Sequence, residues 1–321
     1  MNSMRRSTFV SLATSAIGMT LPRVSALAQS QTTLRVQGNP NDDATALFFA
    51  LKSSGLFQKA GIDLHIESGT SGAAVAAAVA GGAIDVGKSS IISILEAHEK
   101  GIPFTLLAPA GLQTVASPFA GTIVLKDSPI RTGKDLENKT VGLSSLSSLG
   151  RAAVCRWVER AGGNWRSIQF VEIPLTQAAA AVSQKRVVAS ETAQPMLAAA
   201  LGTGNFRDLP TYQTIAPRFV FTAWFTTKEW SSSHPEVARS FARIIAQSAA
   251  YANTHHAETA PVMAQLGNVD LSVVQNMQRV VGGTVLDPSL IQPVIEASTA
   301  YGMLKAGFPA RQLIDANALT R

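Results

Sequence analysis

Short apolar runs alternate with helical patterns along most of this chain. Between residues 34 and 108, four such runs end in small or polar residues, and helical patterns lie between them. The expected strands are 34–37, 62–66, 84–87 and 104–108, and the expected helices are 44–60, 72–80 and 89–100. This alternation is typical of βα units that build a largely parallel sheet.

A second unit with the same order of elements lies between residues 140 and 201. Its expected strands are 140–143, 168–173 and 186–189, and its expected helices are 149–159, 176–185 and 192–201. Residues 69–95 and 174–201 each contain an alanine-rich helix, a short strand, a polar loop and a further helix. This correspondence indicates an internal structural repeat.

Two extended stretches, 112–123 and 216–225, flank the second unit and are suited to carry the chain between two lobes. Beyond residue 235 the pattern is almost wholly helical, with apolar residues spaced to cover one face of a sheet. We therefore expect two α/β lobes. Residues 29–116 together with 221–321 would form lobe 1, and residues 117–220 would form lobe 2.

The first residues have the pattern of an export signal. Arg5 and Arg6 precede an apolar stretch that ends near Leu21, and Ser25-Ala26-Leu27-Ala28 supplies the small residues that signal peptidase accepts. We expect residues 1–28 to be a signal peptide, read by the twin-arginine or the Sec route. A short buried N-terminal helix is the alternative. The apolar stretch is shorter than the roughly 20 residues that span a bilayer, so we expect a soluble mature protein in the periplasm.

Charge and cysteine content exclude some classes of function. The chain has 27 basic and 21 acidic residues, a net charge of +6. Removing residues 1–28, which contain three arginines and no acid, would leave a net charge of +3. No basic stripe is visible, so we do not expect nucleic-acid binding. Cys155, the only cysteine, lies in an apolar stretch and is expected to be a core residue rather than a nucleophile.

Several motifs, in this order and spacing, resemble the nitrate/sulfonate/taurine-type periplasmic substrate-binding proteins of ABC transporters. The motifs are Gly55-Leu56-Phe57, Gly61-Ile62-Asp63-Leu64, Gly69 with Gly72, Gly82-Ala83-Ile84-Asp85-Val86-Gly87, Lys126-Asp127-Ser128-Pro129-Ile130, Lys134-Asp135-Leu136, Asn138-Lys139-Thr140-Val141-Gly142 and His234-Pro235-Glu236-Val237. The resemblance covers essentially the whole mature chain. It implies a two-lobed, type II-like periplasmic-binding-protein fold, with two crossover segments and a ligand held in the cleft between two mixed, mostly parallel sheets.

Candidate ligand-binding residues lie where the expected strands end, because ligands of open parallel sheets bind beyond the carboxyl ends of the strands. They are Asn39, Asp42, Thr70, Ser71, Lys88, Ser89, Ser90, Ser145, Ser147, Ser148, Arg151, Glu191 and Gln194. Several are expected to open helices, whose free N–H groups and positive dipole ends suit an anionic group.

The charge of the ligand stays open at this point. Lys88 or Arg151 would supply a counter-charge for an anion, whereas Asp42 and Glu191 suit an amine or a hydroxyl group. For each candidate serine, capping of a helix N-terminus is the simpler alternative to ligand binding. Trp224 either stacks on a flat ligand or belongs to the core.

No pattern for catalysis stands out. A G-x-S-x-G elbow, a P-loop and a complete dinucleotide fingerprint are all absent from the sequence. His255 and His256 are adjacent, so on a helix they point about 100° apart and cannot both bind one metal ion. A related class of enzymes makes the thiamine pyrimidine with a lysine and a nearby histidine. Here Lys88 has no companion histidine in the expected cleft. We therefore expect no catalytic residue, no metal ligand and no cofactor.

The sequence thus predicts a monomeric solute-binding component of an ABC importer, which captures a small ligand, sulfonate-, nitrate- or carboxylate-like, by closure of two lobes. The expected partners are this ligand and the transporter permease. The alternatives are an enzyme on the same fold, of the thiamine-pyrimidine type, and a periplasmic sensor module for a receptor kinase.

Overall fold

The computed structural model describes residues 31–38, 44, 48, 51–69 and 71–320. These residues belong to one compact unit, Gln31–Arg321. The expected signal peptide, residues 1–28, lies outside the described residues. Within the described part of the chain, no helix combines the length and the apolar character needed to cross a membrane.

The strands are β1 (Thr32–Gly38), β2 (Ile62–Ser68), β3 (Val86–Ser90), β4 (Phe104–Pro109), β5 (Gly111–Thr114), β6 (Ala120–Leu125), β7 (Thr140–Leu143), β8 (Gln169–Glu172), β9 (Ala189–Ala193), β10 (Phe206–Leu209), β11 (Arg218–Val220), β12 (Thr222–Thr227) and β13 (Val281–Gly282).

The α-helices are α1 (Leu56–Lys59), α2 (Gly72–Ala80), α3 (Ile91–Glu99), α4 (Leu149–Arg160), α5 (Ala178–Ser183), α6 (Met196–Gly202), α7 (Lys228–Ser233), α8 (Pro235–Ala252), α9 (His256–Gly267), α10 (Leu271–Asn276) and α11 (Gln292–Ala300). Short 3₁₀ turns occupy Lys52–Ser54, Gly133–Leu136, Trp165–Ser167, Leu175–Gln177, Tyr212–Thr214, Pro288–Leu290 and Ala310–Leu313.

Two five-stranded sheets form the two lobes of the fold. Sheet 1 has the order β2-β1-β3-β12-β4, and sheet 2 has the order β10-β6-β9-β7-β8. In each sheet four strands run in the same direction and one is reversed, β12 in sheet 1 and β6 in sheet 2. The expected mixed, mostly parallel sheets are confirmed. We call the lobe built on sheet 1 the first lobe and the lobe built on sheet 2 the second lobe.

The two sheets have the same topology. Strands β7, β8, β9 and β10 take the places in sheet 2 that β1, β2, β3 and β4 take in sheet 1, and β6 takes the place of β12. Helix α5 precedes β9 as α2 precedes β3, and α6 follows β9 as α3 follows β3. The internal repeat predicted from the sequence is therefore confirmed at the level of topology.

The chain passes between the sheets twice, at the same place. It leaves sheet 1 at the end of β4, runs through β5 and enters sheet 2 with β6. It returns from β10 through β11 to β12, and β5 and β11 pair with each other in antiparallel orientation. These strands lie within the two extended stretches that the sequence analysis identified.

An apolar core covers both faces of sheet 1. On one face, Trp224 of β12 packs against Phe48 and Phe241. The core on the other face contains α3 and α11, and it continues into the second lobe through Leu149 and Cys155 of α4. Because this core is continuous between the lobes, α4 and α11 tie the lobes together in addition to the crossings.

Some expected element boundaries were wrong. Residues 44–60 were expected to be one helix, but Gly55 has φ of +71°, which ends the first segment before α1 begins. The last third of the chain is less helical than expected, since the Gly282-Gly283 pair and Pro288 interrupt it with β13 and a 3₁₀ turn.

The strands β3 and β9 lie later in the chain than the sequence analysis expected. Lys88 was expected in a loop and Ser89 and Ser90 at the start of a helix, but all three belong to β3; Glu191, also expected in a loop, belongs to β9. Their polar side chains were interpreted as a loop signal. However, β3 and β9 are the central strands of their sheets and are covered on both faces. The polar side chains of Lys88, Ser89 and Glu191 are therefore buried although they belong to strands.

Gly133 offers a test of the packing between α4 and the segment before β7. A Cβ at this position would lie 2.4 Å from the Trp157 carbonyl oxygen and 2.6 Å from Val158 Cα, both backbone atoms that cannot move aside cheaply. We expect Gly133→Ala to lower the free energy of unfolding by about 1–3 kcal/mol in urea denaturation. Gly202→Ala is the control, because a Cβ there meets nothing within 4 Å. A Gly133→Ala variant as stable as the control would contradict the packing described.

Candidate functional site

Three of the candidate residues, Asn39, Asp42 and Thr70, lie outside the described residues. The other ten are placed by the structure at or near the carboxyl edges of the two sheets, and they fall into one group in each lobe. The first-lobe group lies just after β2 and in the last residues of β3, and the second-lobe group lies after β7 and in or just after β9.

Ser71 caps helix α2. Its Oγ accepts a hydrogen bond of 3.2 Å from the Ala74 N–H, as the capping explanation expected. The residue is exposed beside the first turn of the helix. Its hydroxyl therefore already has one partner within the chain.

Ser89 has a different environment. Its side chain is 4% exposed, and within the described part of the chain its Oγ has no hydrogen-bond partner. It lies against Gly72, the first residue of α2, where a Cβ would be 2.4 Å from the Ser89 Oγ. Glycine at position 72 therefore allows the start of α2 to approach this hydroxyl. An unpartnered buried hydroxyl costs about 1–3 kcal/mol, which makes Ser89 a feature that needs an explanation.

Lys88 is buried at the same end of β3. Burial of the side chain lowers its pKa from 10.5 to about 7. Lys88 lies directly opposite Trp224 of β12 in the strand register, so the two side chains share one face of sheet 1. Burial therefore disfavours the charged form of this amine.

A polar row continues from β3 along α3. The Ser90 and Ser93 hydroxyl groups are 2.8 Å apart, and Glu96 follows Ser93 after one helical turn. Burial raises the pKa of Glu96, while Lys100 and the Ser147 side chain of the second lobe favour its charged form. Glu96 was missed in the sequence analysis. The spacing of 90, 93 and 96 on an otherwise apolar helix was the signal that could have found it.

In the second lobe, Glu191 is the centre of a buried hydrogen-bond network. Its Oε2 accepts hydrogen bonds from the Ser144 N–H (2.8 Å), the Ser144 hydroxyl (2.7 Å) and the Ser148 hydroxyl (2.7 Å). Its Oε1 accepts one from the Tyr212 hydroxyl (2.6 Å). Burial and the neighbouring Glu191 raise the pKa of Tyr212 well above its usual value.

These bonds hold the loop of residues 144–148 in place at the start of α4. Ser145 and Ser147 remain at the loop surface, with their hydroxyl groups 3.3 Å apart. Leu146 N–H donates to the exposed Glu172 carboxylate at 3.1 Å, which supports the loop from β8. The loop is thus supported by its own lobe, and Ser147 interacts with Glu96 of the first lobe.

Arg151 and Gln194 are tied to their own lobe. The Arg151 guanidinium lies 5.8 Å from the centre of the Phe170 ring and donates to the Leu146 carbonyl oxygen at 3.4 Å. The Gln194 amide group donates to the Pro118 carbonyl oxygen at 3.3 Å and accepts from the Ala198 N–H at 3.2 Å. Gln194 therefore joins the first crossing to the start of α6.

Cys155 and His98 lie in apolar surroundings that disfavour their ionised forms. Cys155 is buried, and burial raises the pKa of its thiol to about 12, which keeps it protonated. His98 packs against Phe308, and burial together with Lys228 lowers its pKa. Among the described residues, no three His, Cys, Asp or Glu side chains are grouped so that they could hold a metal ion.

Comparison with known proteins places the chain among two kinds of relative. The family described as "NMT1/THI5 like" matches residues 41–259. A stretch of 94 residues is 30% identical to 4-amino-5-hydroxymethyl-2-methylpyrimidine phosphate synthase of Schizosaccharomyces pombe, covering 29% of this chain and 26% of the synthase. The match thus spans about a quarter of that enzyme.

The fold is similar to that of solved periplasmic binding proteins. The aliphatic sulphonate binding protein SsuA of Escherichia coli matches with a TM-score of 0.73 at 18% identity, over 90% of this chain and 94% of SsuA. The nitrate-binding protein NrtA of Synechocystis PCC 6803 matches with a TM-score of 0.70 at 14% identity, over 89% of this chain and 86% of NrtA. Identities this low show a shared fold.

The Glu191 network is testable by a variant of the same size. Both carboxylate oxygens of Glu191 accept hydrogen bonds. Glu191→Gln replaces one of these oxygens by an N–H₂ group, which cannot accept, so at least one buried hydrogen bond is lost. We expect the free energy of unfolding to fall by about 2–3 kcal/mol in urea denaturation. Glu172→Gln is the matched control, since Glu172 is exposed and accepts one backbone hydrogen bond. Equal losses in the two variants would contradict the central role of Glu191.

Proposed function

The chain belongs to the NMT1/THI5-like family and has the two-lobed fold of periplasmic binding proteins, and from this premise we propose that it is the extracytoplasmic solute-binding component of an ABC importer. It captures a small ligand, an anion of the sulfonate, nitrate or carboxylate kind, by closure of the lobes and without chemistry. The transporter permease recognises the closed, ligand-bound form.

One observation supports this proposal: a polar group of the second lobe comes close to a polar group of the first. Glu96 of α3 and Ser147 of the loop 144–148 interact although they belong to different lobes. Ser89 lies near the end of β3. Its unpartnered hydroxyl faces Gly72, the first residue of α2. A ligand that contacts both groups binds the closed form more tightly than an open one, which shifts the population towards closure.

We propose that the candidate residues have two kinds of role. The residues that contact the ligand are Lys88, Ser89, Ser90, Ser145, Ser147, Ser71, Arg151, Asn39, Asp42 and Thr70. Glu191, Ser148 and Gln194 act by holding the loops, since their polar atoms are engaged within the chain.

The organisation of the mature protein follows from the same proposal. Residues 1–28 direct export to the periplasm by the twin-arginine or the Sec route. Lobe 1, the first lobe, comprises residues 29–116 and 221–321, and lobe 2, the second lobe, comprises residues 117–220. The protein acts as a monomer. Both lobe limits fall within the two crossings of the chain.

An enzyme on the same fold is the second candidate. The stretch shared with the Schizosaccharomyces pombe synthase supports it, as does a buried lysine whose pKa is about 7. An amine that is partly neutral at physiological pH is able to act as a nucleophile. Chemical change of a bound compound by the purified protein would favour the enzyme over the binding protein.

A thermal-shift panel of sulfonates, nitrate, carboxylates and pyrimidines tests the binding proposal. A ligand at about a hundred times its Kd stabilises the protein by about 2.7 kcal/mol, or about 4 °C in Tm for a chain of this size. We expect the double variant Ser89→Ala/Ser147→Ala to lose this shift. The control is Ser232→Ala/Ser233→Ala, whose hydroxyl groups lie on the exposed part of α7. Shifts that persist unchanged in the Ser89→Ala/Ser147→Ala variant would overturn the proposed site.

Binding of an anion should depend on pH through Lys88. The pKa of Lys88 is about 7, so above pH 7 the amine loses its charge and anion affinity should fall by up to tenfold per pH unit. Lys88→Met should bind more weakly and lose this dependence, as measured by calorimetry between pH 6 and 9.

Lys88 should also make the stability of the ligand-free protein depend on pH. Because the folded pKa is depressed, the unfolded chain binds more protons between pH 7 and 10.5, and the unfolding free energy should rise with pH in that window. Lys88→Met should lack this rise. Identical pH profiles for wild type and Lys88→Met would contradict the assigned role.

A further inference from the structure

Basic residues lie along the amino edge of sheet 2, at the end of its strands that is remote from the loop 144–148. Strands β7, β8, β9 and β10 begin at this edge, and the reversed strand β6 ends there. Each of the five strands has a basic residue close to this end. We call these residues the amino-edge row: Lys126, Lys139, Arg166, Lys185, Arg186 and Arg207.

The side chains of the row are accessible and are not neutralised by nearby carboxylates. All are exposed except Arg207, which is partly exposed. Within the part of the chain that the structure describes, none of them lies within 4 Å of a carboxylate oxygen, whereas the first lobe contains ion pairs such as Arg35–Asp85. Neighbouring strands are about 4.8 Å apart, so the row extends over about 19 Å.

The acidic residues that adjoin the row in the chain do not cancel its charge. The Asp208 carboxylate accepts the Thr122 N–H at 2.7 Å, and burial raises its pKa to about 7. Arg131 and Lys134 are exposed in the segment that carries the other three acids. Near neutral pH the surface therefore keeps a net positive charge. The acids concerned are Asp127, Asp135, Glu137 and Asp208.

The first lobe provides an internal comparison, because its sheet has the same topology. At the positions of sheet 1 that correspond to the row, only Lys59 and Lys228 are basic. The others are Gln31, Gly82, Ala83 and Thr105. The fold therefore does not require basic residues at this edge, and the row is a property of the second lobe alone.

The composition of the row suits an anionic surface better than a protein partner. Protein interfaces have an apolar centre and are depleted in lysine, whereas half of the row is lysine. The large hydrophobic side chains that are exposed among the described residues lie away from this edge; they are Val115, Leu146, Tyr251, Leu271 and Leu319. Spread positive charge without an apolar anchor is typical of attachment to anionic lipids.

We propose that the amino-edge row is a docking surface for the anionic lipid headgroups of a membrane. Each basic residue near such a surface increases the affinity about fivefold. The row lies at the opposite end of the strands from the loop 144–148, so a second lobe bound in this way keeps the ligand-binding edge away from the bilayer. The inference goes beyond the proposed function and does not depend on which ligand is bound.

The test is flotation of the chain without residues 1–28 on vesicles of phosphatidylcholine, with or without about 30% phosphatidylglycerol. We expect binding to the anionic vesicles alone at about 0.1 M salt, and its loss at about 1 M, where charges act over only about 3 Å. No binding to the anionic vesicles at the lower salt concentration would overturn the proposal. Full competition by inorganic phosphate, at the concentration of the lipid phosphate, would also overturn it. So would tighter binding of a DNA duplex, which would assign the row to nucleic acid.

Variants at two places in the row distinguish it from the overall charge. Lys185→Gln/Arg186→Gln and Lys126→Gln/Lys139→Gln each remove two charges and should weaken binding to the anionic vesicles about 25-fold. Lys59→Gln/Lys228→Gln is the matched control, since both residues are exposed at the corresponding edge of the first lobe. If one row variant fails to fold, the other decides. Equal losses in a row variant and the control would overturn the proposal. Vesicle binding by a protein that shows no thermal shift with any ligand would instead count against the proposed function alone.

Discussion

The antiparallel ladder between β5 and β11 is the constraint on which the rest of this structure depends. A single residue, Ala110, separates β4 from β5, and a single residue, Phe221, separates β11 from β12. The reversed strands β6 and β12 both begin at the carboxyl edge of their sheets, as the pairs Ala120–Ala193 and Thr222–Ser90 show. Both crossings therefore run from one carboxyl edge to the other. This route brings the ends of β3 and β9 to the same side of the molecule and makes a shared site possible.

The second lobe has a rigid loop at this position because of a buried carboxylate. Glu191 is 4% exposed and has four donors, three of them from Ser144 and Ser148 at the start of α4. A buried charge is tolerated when it is paired or fully hydrogen-bonded, and breaking part of such a network is costly. The first lobe differs, since Ser89 is left without a partner and Lys88 is buried beside Trp224. We propose that Glu191 of the second lobe supports the site and that Lys88 and Ser89 of the first lobe give it selectivity.

Contacts away from the site limit how far the lobes can separate. The Tyr301 hydroxyl, just after α11, donates to the Glu159 carboxylate of α4 at 2.6 Å, and its ring packs edge-on against Trp165. These contacts join the first lobe to the second at the end of α4 that is remote from the loop 144–148.

The sequence allowed much of the fold to be predicted but little of the site. The alternation of strands and helices, the repeat and the crossings follow from local periodicity, and all three were found. The ends of β3 and β9 were misplaced because Lys88, Ser89 and Glu191 are polar yet buried within strands. The partners that make this possible are distant in the chain; Ser144, for example, is 47 residues from Glu191. Tyr212, which donates to Glu191, is distant in the chain for the same reason, and no local pattern marks it.

Hydrogen–deuterium exchange of the mature protein with and without a stabilising ligand tests the central claim most directly, because it reports on both lobes in one experiment. The account predicts increased protection at once in residues 86–96 of the first lobe and in residues 144–151 of the second. Protection confined to one of these segments, or located elsewhere in the chain, would contradict a ligand held jointly by the two lobes.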